Sequence, residues 1–210
     1  MRRAPKQKRS REMVSRLLDA TAATIAERGL DGTTTNHIAE QAGVSIGSLY
    51  QYFPDKEALV ESLLTRMGEQ AGLRFRQQAK KVDINAMNLR QVAFNATQFG
   101  ILSIRMDPVM YEMIRNWSRV PIHKLLDPLE RAFLVAAQPY FLKHYSNYPI
   151  HNLETKLYVL INSTIFTAIR YAIQEESMIE ERDLVATLAD MIVSTLEPSQ
   201  DRGGNATPDT

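Results

Sequence analysis

Cysteine is absent from the 210 residues of this chain. Disulfide bridges, thiolate metal sites and a cysteine nucleophile are therefore excluded, and the absence suits a reducing compartment. Long apolar runs are missing as well, since none approaches the roughly 18 residues that a membrane-spanning helix needs. The N-terminus carries charges where a signal peptide has an apolar segment. We therefore expect a cytoplasmic protein without membrane association.

Arrangements typical of catalysis and metal binding are also missing. The four histidines are dispersed, no His-Glu-x-x-His or Glu-x-x-His pair occurs, and there is no glycine loop of the kind that cradles phosphates. We expect neither an enzyme nor a metal site, and no cofactor.

The most informative stretch runs from Thr33 to Lys56 and reads TTTNHIAEQAGVSIGSLYQYFPDK. Thr34 is placed to accept a hydrogen bond from an unpaired amide as the N-cap of a short helix, whose inward positions are apolar. Gly43 can adopt a positive φ without steric cost, so the chain can turn sharply there. The inward positions of the helix are Ile38, Ala39 and Ala42.

A second short helix is predicted from Ser45, its cap, to Tyr52. Leu49 points back to the core, whereas small and polar residues face outward, so the helix can enter a DNA major groove. The alternative is an ordinary hairpin of two helices in which the glycine turn and the alanines serve only packing.

Thr33 to Lys56 closely resembles the helix-turn-helix of the TetR (tetracycline-repressor-like) family. With the preceding helix, the resemblance covers about the first third of the chain. It implies an all-α fold with an N-terminal three-helix DNA-binding head and a divergent helical body that binds a small molecule and dimerises. The matching positions are Thr34-Thr35, Ile38-Ala39, Ala42-Gly43-Val44-Ser45, Gly47, Leu49-Tyr50, Tyr52-Phe53, Lys56 and Leu59.

The same resemblance assigns roles within the helix-turn-helix. The residues that hold phosphates would be Thr35, Tyr50, Tyr52 and Lys56, and those close to base edges would be Asn36, Ser45, Gly47, Ser48 and Gln51. Ile46 stands where the family often has a polar or basic residue, and it would touch a thymine methyl group only if it faces the groove.

Charge is distributed unevenly along the chain. The formal net charge is +1, but the first 16 residues carry +6 and the remainder carries −5. We expect residues 1–9 to form a flexible basic arm that contacts DNA phosphates or the minor groove. The alternative is a solvated tail without function.

The remaining sequence has helical periodicity and no alternating strand pattern. We predict a DNA-binding domain over 10–55, a connector, ligand-binding and dimerisation domain over 56–197, and a disordered tail over 198–210. Pro128 and Pro139 fall inside one predicted helix, which is either kinked or starts after Pro128. The connector, helix 56–79, is expected to carry any ligand-driven movement to the head. The predicted helices are Ser10–Arg28, Lys56–Ala79, Ile84–Ile104, Pro108–Trp117, Pro121 or Leu125 to His144, Leu153–Gln174 and Glu180–Leu196.

Methionine and aromatic residues are concentrated in the first half of the body. Methionine adapts to irregular spaces, so these side chains could line an adaptable apolar cavity, as the resemblance implies. The alternative is a filled core. The predicted ligand-binding residues are Phe94, Phe99, Met106, Met110, Met113, Trp117 and Phe133.

The last two predicted helices carry broad apolar stripes with small residues among them. Such helices can form a four-helix bundle across a two-fold axis, and a dimer can read a palindrome. The alternative is that both stripes belong to the core of one chain. The predicted interface residues are Leu157, Ile161, Thr164, Ile165, Ala168, Leu188 and Ile192.

The prediction is therefore a homodimeric transcriptional regulator, most simply a repressor that a small, largely apolar ligand releases from a palindromic operator. The alternative function is a helical small-molecule-binding or interaction protein without specific operator binding.

Overall fold

The chain folds into helices joined by short connections throughout the part that the computed structural model describes, residues 4–81, 86–145 and 150–196. Those residues contain nine helices, and they contain no strand, as predicted. The helices are α1 (Ala4–Gly32), α2 (Thr35–Ala42), α3 (Ile46–Tyr50), α4 (Lys56–Lys81), α5 (Leu89–Met106), α6 (Pro108–Arg115), α7 (His123–His144), α8 (Leu153–Ala172) and α9 (Glu181–Leu196).

Several helix boundaries differ from the predicted ones, among them the start of α5, which lies at Leu89 rather than at the predicted Ile84. Helix α1 begins at Ala4, so residues 4–9 of the predicted flexible arm are helical. Lysine, arginine and glutamine favour helix, and the Nζ of Lys8 lies 3.9 Å from the Oε1 of Glu12, one helical turn later. Helix α7 begins at His123 and continues through both of its prolines, so it does not start after Pro128. Residues 146–149, between the predicted helices that end at His144 and begin at Leu153, and the predicted tail 198–210 lie outside the described residues.

The N-terminal domain, here residues 4–55, packs on the first half of α4. Leu17, Ile38 and Leu49 are fully buried from three different helices, together with Leu59 of α4. Burial of each such side chain stabilises the fold by roughly 1.5–3 kcal/mol. The same apolar cluster continues into the C-terminal body, here residues 56–196, through buried side chains such as Met113 of α6. The two parts therefore share one core.

Two glycines set the distance between α4 and α7. A Cβ atom at Gly68 would overlap the carbonyl oxygen of Leu125, and one at Gly72 would lie 2.9 Å from the Cβ of Ala132. Close approach of these two helices requires residues without side chains at both positions. Helix α7 is thereby held against α4, the helix on which the N-terminal domain packs.

Candidate nucleic-acid interface and ligand cavity

The turn between α2 and α3 has the predicted geometry. Thr34 caps α2 by accepting a hydrogen bond from the amide of His37 at 3.2 Å. Gly43 adopts φ 64° and ψ 40°, the left-handed conformation that glycine adopts at little cost. The amide of Val44 donates to the carbonyl of Ala39 at 3.0 Å, so the end of α2 is closed by hydrogen bonds before α3 begins.

Helix α3 is shorter than predicted, ending at Tyr50, and Ser45 caps it. The Oγ of Ser45 accepts a hydrogen bond from the amide of Ser48 at 3.1 Å and lies 2.8 Å from the Ser48 hydroxyl. Leu49 is buried completely, which confirms its inward direction and leaves the opposite side of α3 to solvent.

The outward side of the helix-turn-helix carries most of the residues predicted to contact DNA. Exposed residues are Asn36, Ser45, Gly47, Tyr50, Gln51 and Tyr52, while Thr35 and Ser48 are half-buried. The Thr35 hydroxyl and the Tyr50 hydroxyl are 3.1 Å apart, so α2 and α3 present their polar groups together. Ile46 is half-buried and packs against the core, so its side chain is partly turned away from solvent.

Lys56 has a partner within the protein. Its Nζ donates to the carbonyl oxygen of Leu30 at 3.2 Å, and the side chain is half-buried. An ammonium group has three donors, so a phosphate contact by Lys56 would add to this hydrogen bond.

The expectation that no arrangement typical of catalysis occurs needs one correction, because residues 43–47 have the spacing Gly-x-Ser-x-Gly, which in hydrolases marks a nucleophilic serine. That chemistry requires a strand before the serine and a histidine bonded to its hydroxyl. Here Ser45 follows a helix, and its Oγ bonds to Ser48. The spacing therefore serves the turn and the helix cap.

A cavity of about 410 Å³ lies within the body between α4, α5, α6, α7, α8 and α9, in the size range of small-molecule sites. Its walls are almost entirely apolar. Three of the predicted ligand-binding residues line it, namely Phe99, Met110 and Phe133.

The other four predicted ligand-binding residues do not line the cavity. Met113 is fully buried in the core one turn after Met110, and Phe94 packs against the same core. Met106 is 75% exposed at the end of α5. Trp117 is 39% exposed and packs on Phe166 of α8, with ring centroids 6.1 Å apart. Composition located the cavity region but could not tell which face of each helix points inward.

The residues predicted to form the dimer interface lie inside the chain. Leu157, Ile161, Thr164, Ile165, Ala168 and Ile192 line the cavity, and Leu188 is buried. Helix α8 is also apolar on a second face. Its outward face carries exposed Tyr158, Val159 and Phe166, which the sequence analysis did not select.

A polar cluster joins the body to the N-terminal domain, and sequence reasoning missed it. Glu112 of α6 accepts hydrogen bonds at Oε1 from the amide of Leu30 at 3.0 Å and from the side chain of Asn116 at 3.1 Å. Arg119 makes a two-point ion pair with Asp31. The hydrogen bonding to Arg119 and the guanidinium charge lower the pKa of the Asp31 carboxyl. The same hydrogen bonding and the carboxylate charge raise the pKa of Arg119.

This cluster adds a second contact between body and head. Helix α4 was expected to be the connector, but α6 also holds the end of α1 at residues 29–31. Gly29 has φ 69° there, and the chain bends. No sequence signal links Glu112 to residues 82 positions earlier, because the contact depends on tertiary packing.

In residues 4–81, 86–145 and 150–196, no three His, Asp or Glu side chains are grouped as a metal site would require. Among the helices described, none is both long and apolar enough to cross a bilayer.

Comparison with known proteins matches the N-terminal domain to a family of regulators. The sequence model described as "Bacterial regulatory proteins, tetR family" matches residues 17–63. The chain is 50% identical over 48 residues to the HTH-type transcriptional repressor KstR2 of Rhodococcus jostii, which is 23% of this chain and 24% of that protein. It is 31% identical over 121 residues to the HTH-type transcriptional regulator BetI of Burkholderia mallei, which is 56% of this chain and 59% of that protein.

The matched segments therefore span about a quarter of KstR2 and less than two thirds of BetI. Similarity of structure extends further. The structure of the transcriptional regulator FadR from Bacillus subtilis in complex with stearoyl-CoA superposes with a TM-score of 0.62 at 18% identity, covering 87% of this chain and 99% of that one. At that identity, the superposition shows a shared fold.

Proposed function

This chain belongs to the tetR family of bacterial regulatory proteins, a non-enzymatic family, through its N-terminal domain, and from this premise we propose that it is a dimeric, sequence-specific transcriptional repressor released from its operator by a small apolar ligand. The single observation that carries the proposal is the helix-turn-helix. In it, α3 is capped by Ser45, its Leu49 is fully buried, and its polar groups face outward. Such a helix can enter the major groove while neighbouring hydroxyl groups contact phosphates.

We assign the DNA contacts as the resemblance to the family implies, and the exposure of the residues is compatible with that assignment. Asn36, Gly47 and Gln51 are exposed around α3 and would lie near base edges, with Ser45 and Ser48 at its start. Thr35, Tyr50, Tyr52 and Lys56 would hold phosphates on either side of the groove. Half-buried Ile46 contributes chiefly to packing in this arrangement.

Dimerisation is assigned to the outward face of α8. Tyr158 and Val159 are 59% and 54% exposed, and Phe166 extends this face beside exposed Trp117. Contiguous exposed apolar side chains of this kind favour association with a protein surface. A second copy in an isologous arrangement would bury both faces and place two helix-turn-helix units on one palindrome.

The cavity is connected to the DNA-binding domain through α6. Met110 and Ile114 line the cavity, while Glu112 of the same helix holds the Leu30 amide. A ligand that moves α6 would therefore move the end of α1. The ligand reduces operator binding only if it binds the DNA-incompetent arrangement more tightly than the competent one.

The relatives support the sign of regulation and the character of the ligand. KstR2 is a repressor, and the Bacillus subtilis protein was crystallised with stearoyl-CoA, a molecule with a long apolar chain. The apolar walls of the cavity in this chain are compatible with ligands of that character.

A mobility-shift experiment tests the proposal. DNA from the neighbourhood of the protein's own gene is titrated with the full chain in the presence of excess nonspecific DNA. We expect one fragment to be bound at least about 10³-fold more tightly than nonspecific DNA. Equal binding to all fragments would contradict the proposal and favour a small-molecule-binding or interaction protein without specific operator binding.

A further inference from the structure

We propose that the cavity accepts a molecule with an apolar body and one terminal anionic group, and that Arg74 and Gln78 of α4 hold the anion. The inference rests on the proposed function, in which this cavity is the ligand site. It goes further by naming the polar group of the ligand and the residues that recognise it.

The apolar body of the ligand is inferred from the hydrogen bonds that polar side chains of the cavity wall already make within the protein. The Ser103 hydroxyl donates to the Phe99 carbonyl at 2.7 Å, and the Thr97 hydroxyl donates to the Ala93 carbonyl at 2.9 Å. Asp107 accepts the amides of Val109 and Met110 through Oδ1, both at 3.0 Å. These three polar side chains have partners inside the protein, so they offer little to a polar ligand body. The Thr164 hydroxyl is an exception, because it lines the cavity and is buried without a hydrogen-bond partner among the described residues.

Arg74 and Gln78 differ from the rest of the wall. Both line the cavity and both are exposed, so they lie where the cavity meets solvent. They are one helical turn apart on α4, and neither makes a hydrogen bond or ion pair with the described part of the chain. Between them Phe75 packs on Phe133 with ring centroids 4.2 Å apart, which fixes this face of α4 against α7.

Arg74 is the one cationic residue among the described residues that line the cavity. Residues 71–81 contain four cationic side chains and no acidic one, and none of the four belongs to an ion pair within the described residues. The cavity wall itself includes one carboxylate, Asp107, which is occupied in capping α6. An anionic group at the opening would thus meet the guanidinium of Arg74, which has no acidic partner among the described residues and is suited to carboxylate or phosphate. The cationic residues are Arg74, Arg76, Lys80 and Lys81.

Calorimetric titration with matched probes tests this inference. Decanoate, decyl phosphate and decanol share one alkyl chain, and only the first two carry an anionic group. Each is titrated into the full-length protein, into Arg74→Ala and into Lys80→Ala. Lys80 is the control because it is exposed on the same helix, carries the same charge and does not line the cavity.

We expect at least one of the two anionic probes to bind the wild-type protein about fivefold or more tightly than decanol, as one charge-assisted hydrogen bond at a solvent-exposed position would give. Arg74→Ala should abolish that preference with little change for decanol, and Lys80→Ala should keep it. The anion that binds more tightly identifies the head group as carboxylate or phosphate.

Three results would overturn the inference: equal binding of decanol and both anionic probes, a preference that survives Arg74→Ala, or no binding of any probe. Operator binding is measured on the same preparations. If operator binding is specific but the anion preference is missing, only this inference fails. If specific operator binding is itself missing, the proposed function fails.

Discussion

Gln51 and Lys56 represent the two kinds of predicted DNA contact, Gln51 with base edges and Lys56 with a phosphate. Gln51 is exposed at the end of α3, whereas Lys56 already bonds to the Leu30 carbonyl. We expect Gln51→Ala to change the preference among operator variants, because base-edge contacts carry sequence information. Lys56→Ala should weaken binding to all sequences and reduce the salt dependence. Fluorescence anisotropy at several salt concentrations measures both. A changed site preference in Lys56→Ala with unaltered salt dependence would contradict this division.

Glu112 provides a second test at the residue scale. Its carboxylate accepts the amide of buried Leu30, so Glu112→Ala leaves that amide without its partner. We expect the free energy of unfolding to fall by about 1–2 kcal/mol, measured by urea denaturation. Glu61→Ala is the control, since Glu61 pairs with Lys124 in an exposed ion pair that contributes about 0–1 kcal/mol. Equal effects of the two substitutions would show that the Glu112 contact contributes no more than a surface pair.

Residues whose roles are set locally could be predicted from the sequence. Thr34, Gly43 and Ser45 cap and turn the helices as expected, because a cap needs only its own neighbours in the chain. Met113 and Trp117 were misplaced because their surroundings are supplied by distant segments. A methionine-rich and aromatic segment indicates a cavity region, but the direction of each side chain depends on tertiary packing.

At the scale of elements, the contact between α4 and α7 depends on Gly68. We expect Gly68→Ala to force α7 away from α4 and to destabilise the fold by about 1–3 kcal/mol, because the new methyl group would overlap the Leu125 carbonyl. Gly100→Ala is a matched control in α5, where a Cβ meets nothing within 4 Å, and it should be neutral or stabilise by up to about 1 kcal/mol. Thermal unfolding of both variants measures these changes in stability. A Gly68→Ala protein as stable as the wild type would mean that α4 and α7 can move apart without cost.

Helix positions were mostly predictable, and helix faces were not. The bounds of α4 and α9 agree with the predicted ones within two residues because their apolar periodicity and flanking signals are strong. Helix α8 has apolar residues on its inward face and on its outward face, so its sequence alone does not say which stripe meets a second chain. The structure separates them, since Ala168 is buried and Val159 is exposed.

At the scale of the whole molecule, the outward face of α8 should form the dimer. Val159→Glu places a charge among exposed apolar side chains and should produce monomers at micromolar concentration, because a buried unpaired carboxylate costs several kcal/mol. Gln98→Glu, at an exposed position of α5, should leave the assembly unchanged. Sedimentation velocity distinguishes the two. A Val159→Glu protein that sediments as the wild type does would place the interface elsewhere.

The central claim is that occupancy of the cavity and binding of the operator are coupled through the contacts of α6 with α1 and of α7 with α4. The direct measurement is operator affinity, by anisotropy, with and without a saturating compound that a thermal-shift screen has shown to bind the full chain. We predict that the compound weakens operator binding about 5-fold to 150-fold, and that the operator weakens compound binding by the same factor. A compound that fills the cavity and leaves operator affinity unchanged would contradict the account.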